Sequence, residues 1–290
     1  MGKYRIAILG SGNIGTDLLV KTQRSPWLEC VAFVGRSRNS AGMAKAMSLG
    51  VPYSDQSIQY IIDHARDIDL VFDATSARDH KNHAPVLKEL GIRAIDLTPA
   101  KLGAMAVPAV NMAECMGEMN INMVTCGGQA SIPLAYAIGR SHRRVDYIEV
   151  ISSIASRSAG PATRLNIDEY VATTEHGLRV FSGAKRSKAV LNLNPAVPCI
   201  NMQTTVFAMV DEPNVQGLRE EVAKIAVKVR SYVPGYEVIV DPFFENGRLV
   251  VMVRVTGLGD YLPAYAGNLD IINCAAIGLA EEYAKQETRS

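Results

Sequence analysis

No apolar run in the 290-residue sequence approaches the ~20 residues needed to cross a bilayer, which argues against a membrane span. Nor is there an excess of either charge. Thirty Lys+Arg face 29 Asp+Glu for a net charge of +1, so no strong field draws the chain to nucleic acid or anionic lipid. The five cysteines (Cys30, Cys115, Cys126, Cys199 and Cys274) are scattered and never spaced CxxC. That spacing argues against a disulfide framework or a zinc site and suits a reducing cytoplasm. The first strand-like segment begins at Tyr4, leaving no room for a signal peptide, and Ile6 stands where a myristoylation motif needs Ser or Thr. Short repeats are absent too. What the chain does hold is 48% apolar residues, enough to exclude disorder. At this length a folded chain buries ~75% of its extended surface, and two domains are the better expectation.

Over the first 125 residues, β-rich runs alternate with helical patterns. Tyr4–Leu9, Leu28–Val34, Asp69–Asp73, Arg93–Asp96 and Ile121–Val124 read as strands. Amphipathic stretches lie between them at Gly15–Arg24, Ala41–Ser48, Ser57–Arg66 and Asp79–Leu90. Such alternation predicts an α/β fold with a parallel sheet and right-handed crossovers. From about Val145 the strands lengthen: Tyr147–Ile154, Met202–Val210, Glu237–Val240 and Arg248–Thr256, the last two flanking the hairpin signal Asn246-Gly247. With helices at Leu165–Gly177 and Val215–Val229, this half reads as an α+β domain with a mixed or antiparallel sheet. The Ala-rich segment Asn268–Lys285 reads as a helix returning to the first domain.

The first strand runs directly into Gly10-Ser11-Gly12-Asn13-Ile14-Gly15, a GxGxxG turn that opens a helix. Gly10 permits the tight turn and Gly12 leaves room for a pyrophosphate. Gly15 lets the helix pack closely on the sheet, and the helix N-terminus faces the phosphates. In this context the turn reads as a dinucleotide site rather than an empty βα turn. At the end of the second strand an acid would select NAD. The sequence instead reads Val34-Gly35-Arg36-Ser37-Arg38. Guanidiniums pair well with phosphate, so NADP is favoured over NAD.

Cys126 follows Ile121–Val124 and precedes the helical run Ala130–Arg140. A cysteine at a helix start meets unpaired N–H groups and the positive end of the dipole, which lower a thiol pKa and hold a developing oxyanion. Gly127 and Gly128 leave room for a substrate. Cys126 therefore reads as a nucleophile, and the other cysteines as inert core residues. His80 and His83, spaced i, i+3, read as a polar helix face rather than a metal site, and His142 as a solvated helix end.

Several segments resemble acylating acetaldehyde dehydrogenases. They are Gly10-Ser11-Gly12-Asn13-Ile14-Gly15-Thr16-Asp17-Leu18, Asp73-Ala74-Thr75-Ser76-Ala77, Ala94–Ala100, Asn122–Ala130, Ser158–Glu169 and Asp260–Ile271. They span the chain in order. The resemblance implies a Rossmann domain followed by an α+β catalytic and dimerisation domain, here residues 1–130 with 267–290, and 131–266. It implies the reaction of an aldehyde, CoA and NAD(P)⁺ to an acyl-CoA by way of an acyl-thioester on Cys126. The dinucleotide site would be lined by Ser11, Gly12, Asn13, Ile14, the loop of Ser158, Ala159, Gly160, Pro161, Ala162, Thr163, Arg164, Leu165 and Asn166, and Asn268 near the nicotinamide. A homodimer and a partner aldolase of the 4-hydroxy-2-oxovalerate type are also implied.

Four departures from the family pattern stand out. Arg36-Ser37-Arg38 occupy the region where the family carries an acid, in keeping with NADP. Thr204 occupies the place of an aspartate that is the general base by the resemblance, and threonine is no base near neutral pH. Ala162 replaces a usual glycine, and the loop at Asn246 is short. An NADP preference with the acid missing tilts the expected activity toward reduction of an acyl-thioester. The alternative is a weakly catalytic or non-catalytic subunit that partners an aldolase. Intact Cys126, Asn268 and glycine turn speak against it.

Overall fold

The computed structural model describes residues 2–287. In chain order the elements are β1 (Tyr4–Leu9), α1 (Asn13–Thr22), β2 (Leu28–Val34), α2 (Ala41–Ser48), β3 (Tyr53–Ser54), α3 (Ile58–Asp63), β4 (Leu70–Asp73) and α4 (Ala77–Glu89). Next come β5 (Arg93–Asp96), β6 (Ala104–Met105), α5 (Pro108–Cys115), β7 (Asn120–Asn122), α6 (Cys126–Ser141), β8 (Val145–Ala155), α7 (Pro161–Leu165) and α8 (Ile167–Ser182). The chain ends with β9 (Arg186–Asn194), β10 (Met202–Val210), α9 (Val215–Arg230), β11 (Tyr236–Glu245), β12 (Arg248–Val255) and α10 (Gly267–Glu287).

The chain divides into two compact units. Unit 1 comprises the chain up to Ala106, Met112–Met123 and the chain from Asn273 onward; unit 2 comprises Val107–Asn111 and Val124–Ile272. These divisions fall at Val124 and Asn273 rather than at 130 and 267. The reason is that α6 packs against α8 and α9, so it belongs with the second sheet.

Unit 1 is built on a parallel sheet of order β3-β2-β1-β4-β5-β7-β6. The order reverses between β1 and β4, so right-handed crossovers send helices to opposite faces and open a crevice at the strands' C-terminal ends. This is the parallel sheet expected from the alternation, and the Rossmann-type domain that the resemblance implies. The central strands are buried on both faces (Ile6, Ile8, Phe33, Phe72), each such side chain contributing ~1.5–3 kcal/mol of transfer free energy. The C-terminal part of α10 lies in this unit. Asn273 donates from Nδ2 to Asp17 Oδ2 (2.8 Å) and to the Ile14 carbonyl (3.2 Å), and the Tyr283 hydroxyl donates to the Cys115 carbonyl.

Unit 2 carries a mixed sheet of order β11-β12-β10-β8-β9, antiparallel except for β8 with β9. One face is buried, including Ile148, Val150, Ser152, Thr204, Val206, Val251 and Val253. Its opposite face leaves Met209 and Val240 exposed. Asn246 and Gly247 both take positive φ (49° and 77°) and close β11 onto β12, as the dipeptide predicts. The edge strand β9 has no counterpart in the sequence reading, because five of its nine residues are polar and only Ala189 is buried. The helix expected over Leu165–Gly177 is instead two, α7 and α8, broken at Asn166 (φ −121°, ψ 34°).

His80 and His83 lie buried in unit 1, not on a solvated helix face. Both Nδ1 atoms donate to Asp73 Oδ2, at 2.9 and 2.8 Å, and His80 Nε2 faces Asp96 Oδ2 (3.5 Å) and Asn120. Burial alone would lower the His80 pKa, but its bond to Asp73 and the charges of Asp96 and Asp73 outweigh that and raise it. Burial pushes Asp96 up to about 6, despite its partners. Asp73 is held well below the carboxylate range: the His80 and His83 bonds overcome burial. A raised folded-state pKa gives stability that is present below the unfolded value and lost as pH rises. For Asp96 that loss runs from about pH 4 to about 6, and for His80 it begins above about pH 6.5. Asp73 has the opposite sign and matters only in acid. His80→Gln is therefore expected to cost unit 1 more stability at pH 6 than at pH 8.5, within roughly this window. Thermal denaturation of both proteins across that range reads the difference, and a gap independent of pH would refute it.

His142 is likewise buried, with Nδ1 bonded to the Ile138 carbonyl and Nε2 accepting from the Asn214 N–H (3.0 Å). It closes the C-terminal end of α6 rather than fraying into solvent.

Candidate active site

In unit 1 the glycine turn closes the C-terminal end of β1. Gly10 has φ +118°, and a Cβ there would collide with the Ala74 carbonyl. At Gly15 a Cβ would strike the Gly10 carbonyl, whereas at Gly12 it would meet nothing within 4 Å. The turn thus needs glycine at Gly10 and Gly15 for its own shape, while Gly12 borders open space. Helix α1 starts at Asn13 with no side-chain cap and no acidic residue in its first turn, leaving its first N–H groups for an anion. Ser11 Oγ accepts from the Ser40 hydroxyl at 3.0 Å, which ties the turn to the β2–α2 loop. That loop carries Arg36, Ser37 and Arg38, all exposed. Arg36 lies 3.9 Å from Asp79 and Arg38 3.2 Å from Asp55. These exposed pairs contribute little and can exchange for a phosphate.

In unit 2 the chain enters α6 through Val124, whose φ of +62° is unusual for a β-branched residue. Holding such a residue in the left-handed region costs ~1–3 kcal/mol, which the surrounding packing must supply. Thr125 then caps the helix, its hydroxyl accepting from the Gly128 N–H (2.9 Å) and pairing with Thr174 (2.8 Å). Cys126 follows as the first helical residue, partly exposed. Burial of its sulfur pushes the thiol up to about 11, although a bond from Tyr170 and the N–H groups of Gly127 and Cys126 act to lower it. The helix-start position was expected to lower this pKa. In the protein, desolvation outweighs those donors.

Tyr170 of α8 is only 6% exposed, and its hydroxyl lies over Gly127, where a Cβ would collide with it. Ser152 Oγ of β8 flanks the same spot, 3.1 Å from the Cβ position, and pairs with Thr204 Oγ1 of β10 at 3.1 Å. Sequence reasoning named Thr204 but neither Tyr170 nor Ser152. Helix α8 and strand β8 meet at Cys126 only through the fold, so no local spacing marks them.

The loop Ser158–Asn166 leads directly into α8. Ser158 and Ala159 are buried, Gly160 borders open space and Leu165 is 82% exposed. Arg164 donates to the carbonyls of Ala159 and Ser156 and to the Ser156 hydroxyl, so its guanidinium shapes the loop. The side chains of Pro161 and Ala162 lie outside the described residues, while Thr163 and Asn166 are partly buried. Asn268 opens α10 fully buried, with neither amide atom hydrogen-bonded. An orphaned buried amide is costly and fits a ligand carboxamide. In unit 1 the open glycine turn at an anion-binding helix start fits a dinucleotide's phosphates, and in unit 2 the unpaired Asn268 amide fits a carboxamide. Among the described residues no His/Cys/Asp/Glu group could hold a metal ion, and no helix is long and apolar enough to cross a membrane.

Fold and glycine turn together define a two-unit dehydrogenase with a dinucleotide-binding parallel sheet. Residues 5–115 match the family profile described as semialdehyde dehydrogenase, NAD binding domain. Residues 126–263 match prokaryotic acetaldehyde dehydrogenase, dimerisation. An acetaldehyde dehydrogenase of Spirochaeta aurantia is 64% identical over 97% of this chain and 95% of its own. One from Geobacillus thermodenitrificans is 46% identical over 100% of this chain and 99% of its own. The chain belongs to the acetaldehyde dehydrogenase family. Among solved structures, an aspartate semialdehyde dehydrogenase with NADP from Candida albicans aligns at a TM-score of 0.66 and 12% identity, over 97% of this chain and 100% of that one. That likeness concerns the fold.

Proposed function

We propose that the protein is a CoA-acylating aldehyde dehydrogenase that interconverts a short aldehyde and an acyl-CoA, with Cys126 as its nucleophile. The observation that carries this reading is Cys126 at the first turn of α6, below a strained elbow and facing N–H donors. In oxidation, the Cys126 thiolate attacks the aldehyde carbonyl and forms a tetrahedral thiohemiacetal. A bound dinucleotide would supply the hydride acceptor for that carbon, or the hydride donor in reverse. The sulfur is left as a thioester, and the CoA thiolate displaces Cys126 as it takes the acyl group. In reduction an acyl-CoA acylates Cys126 and CoA leaves. N–H groups of Cys126 and Gly127 stabilise negative charge on the sulfur throughout. The glycine turn of unit 1 holds the dinucleotide's phosphates, and the resemblance gives Asn268 and the Ser158–Asn166 loop of unit 2 a part in binding it.

Arg36 and Arg38 support a preference for NADP(H), and with Thr204 in place of an acid they favour reduction. The half-open face of the unit 2 sheet, where Met209 and Val240 are exposed, supports a homodimer. A cytoplasmic location and an aldolase partner complete the proposal, the latter resting on the resemblance alone. Incubating the protein with NADPH and a panel of acyl-CoAs tests the reaction. Loss of NADPH and acylation of Cys126, seen by mass spectrometry, are expected; acylation elsewhere would exclude the nucleophile.

Cofactor choice is a separate prediction. Wild type should bind NADP(H) roughly tenfold or more tightly than NAD(H), the exposed guanidiniums giving the lower end of a charge-assisted bond's effect. Titration with Arg36→Asp/Arg38→Ala should abolish that preference. Equal wild-type affinities would end the idea.

A further inference from the structure

Unit 2 contains two histidines, neither placed to serve Cys126. His142 closes the far end of α6, where both ring nitrogens are bonded, and His176 is exposed on α8. Thr204, where the resemblance calls for a carboxylate, offers only a hydroxyl, and that hydroxyl is paired with Ser152. The side chain that borders Cys126 is instead a tyrosine. Its hydroxyl is buried, lies over Gly127 between the cysteine and Ser152, and makes no fully aligned hydrogen bond within the protein. A buried phenol so poorly satisfied is costly, and such groups call for an explanation.

We propose that Tyr170 is the hydrogen-bond donor that holds Cys126 as a thiolate, with Ser152 and Thr204 orienting its hydroxyl from the sheet side. The assignment rests on Cys126 being the nucleophile, as proposed above. Burial, followed by the nearby Cys126 charge, raises the Tyr170 pKa well above its ordinary value, so the phenol stays protonated. A neutral phenol is a donor and no base. The interaction is O–H to S⁻ with no proton transferred, and the thiol proton leaves by another route. The same bond serves each stage at which sulfur is anionic: before attack on a carbonyl, and after collapse of the thiohemiacetal to aldehyde. Gly127 is integral to the arrangement, since any larger residue would displace the phenol.

The test measures the ionisation of Cys126 directly. Its alkylation by iodoacetamide is followed against pH by mass spectrometry of the Cys126 peptide. Removing a hydrogen bond to a charged group should raise the thiol pKa by about one to two units in Tyr170→Phe. At a fixed pH below the inflection the rate should fall roughly three- to tenfold, because the more basic thiolate is also more nucleophilic. Ser152→Ala should shift the profile in the same direction by less. Trifluorotyrosine at position 170, a stronger donor of nearly the same shape, should shift it downward, and it decides the matter if Tyr170→Phe fails to fold. A folded Tyr170→Phe with the wild-type profile, or no shift with trifluorotyrosine, overturns the proposal. Acyl trapping on the same samples separates the two readings. Acylation of Cys126 with an unmoved profile defeats Tyr170 alone, whereas acylation elsewhere defeats the nucleophile.

Discussion

Replacing Cys126 by serine is expected to abolish turnover, by ~10³-fold or more, while dinucleotide affinity stays unchanged. The environment makes this loss larger than the swap of sulfur for oxygen alone would suggest. Desolvation pushes even the thiol up to about 11, and the same desolvation would oppose a serine alkoxide that is far harder to form. The N–H donors of Gly127 and Cys126 cannot offset that gap. Dinucleotide binding should survive, because the glycine turn, Arg36 and Arg38 belong to unit 1, and in unit 2 Asn268 and the Ser158–Asn166 loop are left unchanged by the substitution. Steady-state rates and a fluorescence titration of the reduced dinucleotide, run on the same samples, check both halves. Near-normal turnover by Cys126→Ser would return Cys126 to the status of a small core residue.

The parts of the site that were legible in the sequence are those built by consecutive residues. The glycine turn announces itself because Gly10, Gly12 and Gly15 have distinct jobs within one βα turn, and the structure bears out two of them as collisions a Cβ would cause. Strands β1, β2 and β5 match their predicted limits, since buried parallel strands are compact apolar runs. Cys126 was legible because its helix start is local. What escaped was tertiary. His80 and His83 look polar along α4, yet Asp73, placed at the end of β4 by the sheet, buries and satisfies them. Tyr170 lies 44 residues beyond Cys126 and was invisible until α8 packed on α6. Ionisation of Cys126 was misjudged for a related reason. A helix N-terminus can be read from sequence, but the desolvation that opposes it depends on everything packed around the sulfur.

Thr204→Asp is expected to raise aldehyde oxidation at neutral pH by ~10²-fold or more, with a smaller effect on thioester reduction. Thr204 faces the buried side of the unit 2 sheet, opposite Ser152 on β8 and Val253 on β12. Its hydroxyl reaches Ser152, and Ser152 borders the Tyr170 hydroxyl over Gly127. A carboxylate at this position would be one hydroxyl away from the cysteine's own hydrogen-bond donor. Burial without a cation would raise its pKa toward neutrality, where a base is most effective in drawing a proton from Cys126 or the incoming CoA thiol. Oxidation needs that proton removed. Reduction needs it less, because CoA departs as a thiolate. The same burial should destabilise the variant, and a lowered denaturation temperature is expected alongside the faster oxidation. Both directions are compared at one pH with saturating dinucleotide. A wild type that already oxidises aldehydes rapidly at neutral pH, together with an unchanged Thr204→Asp, would mean that another residue is the base. The preference for reduction would then lose its structural support.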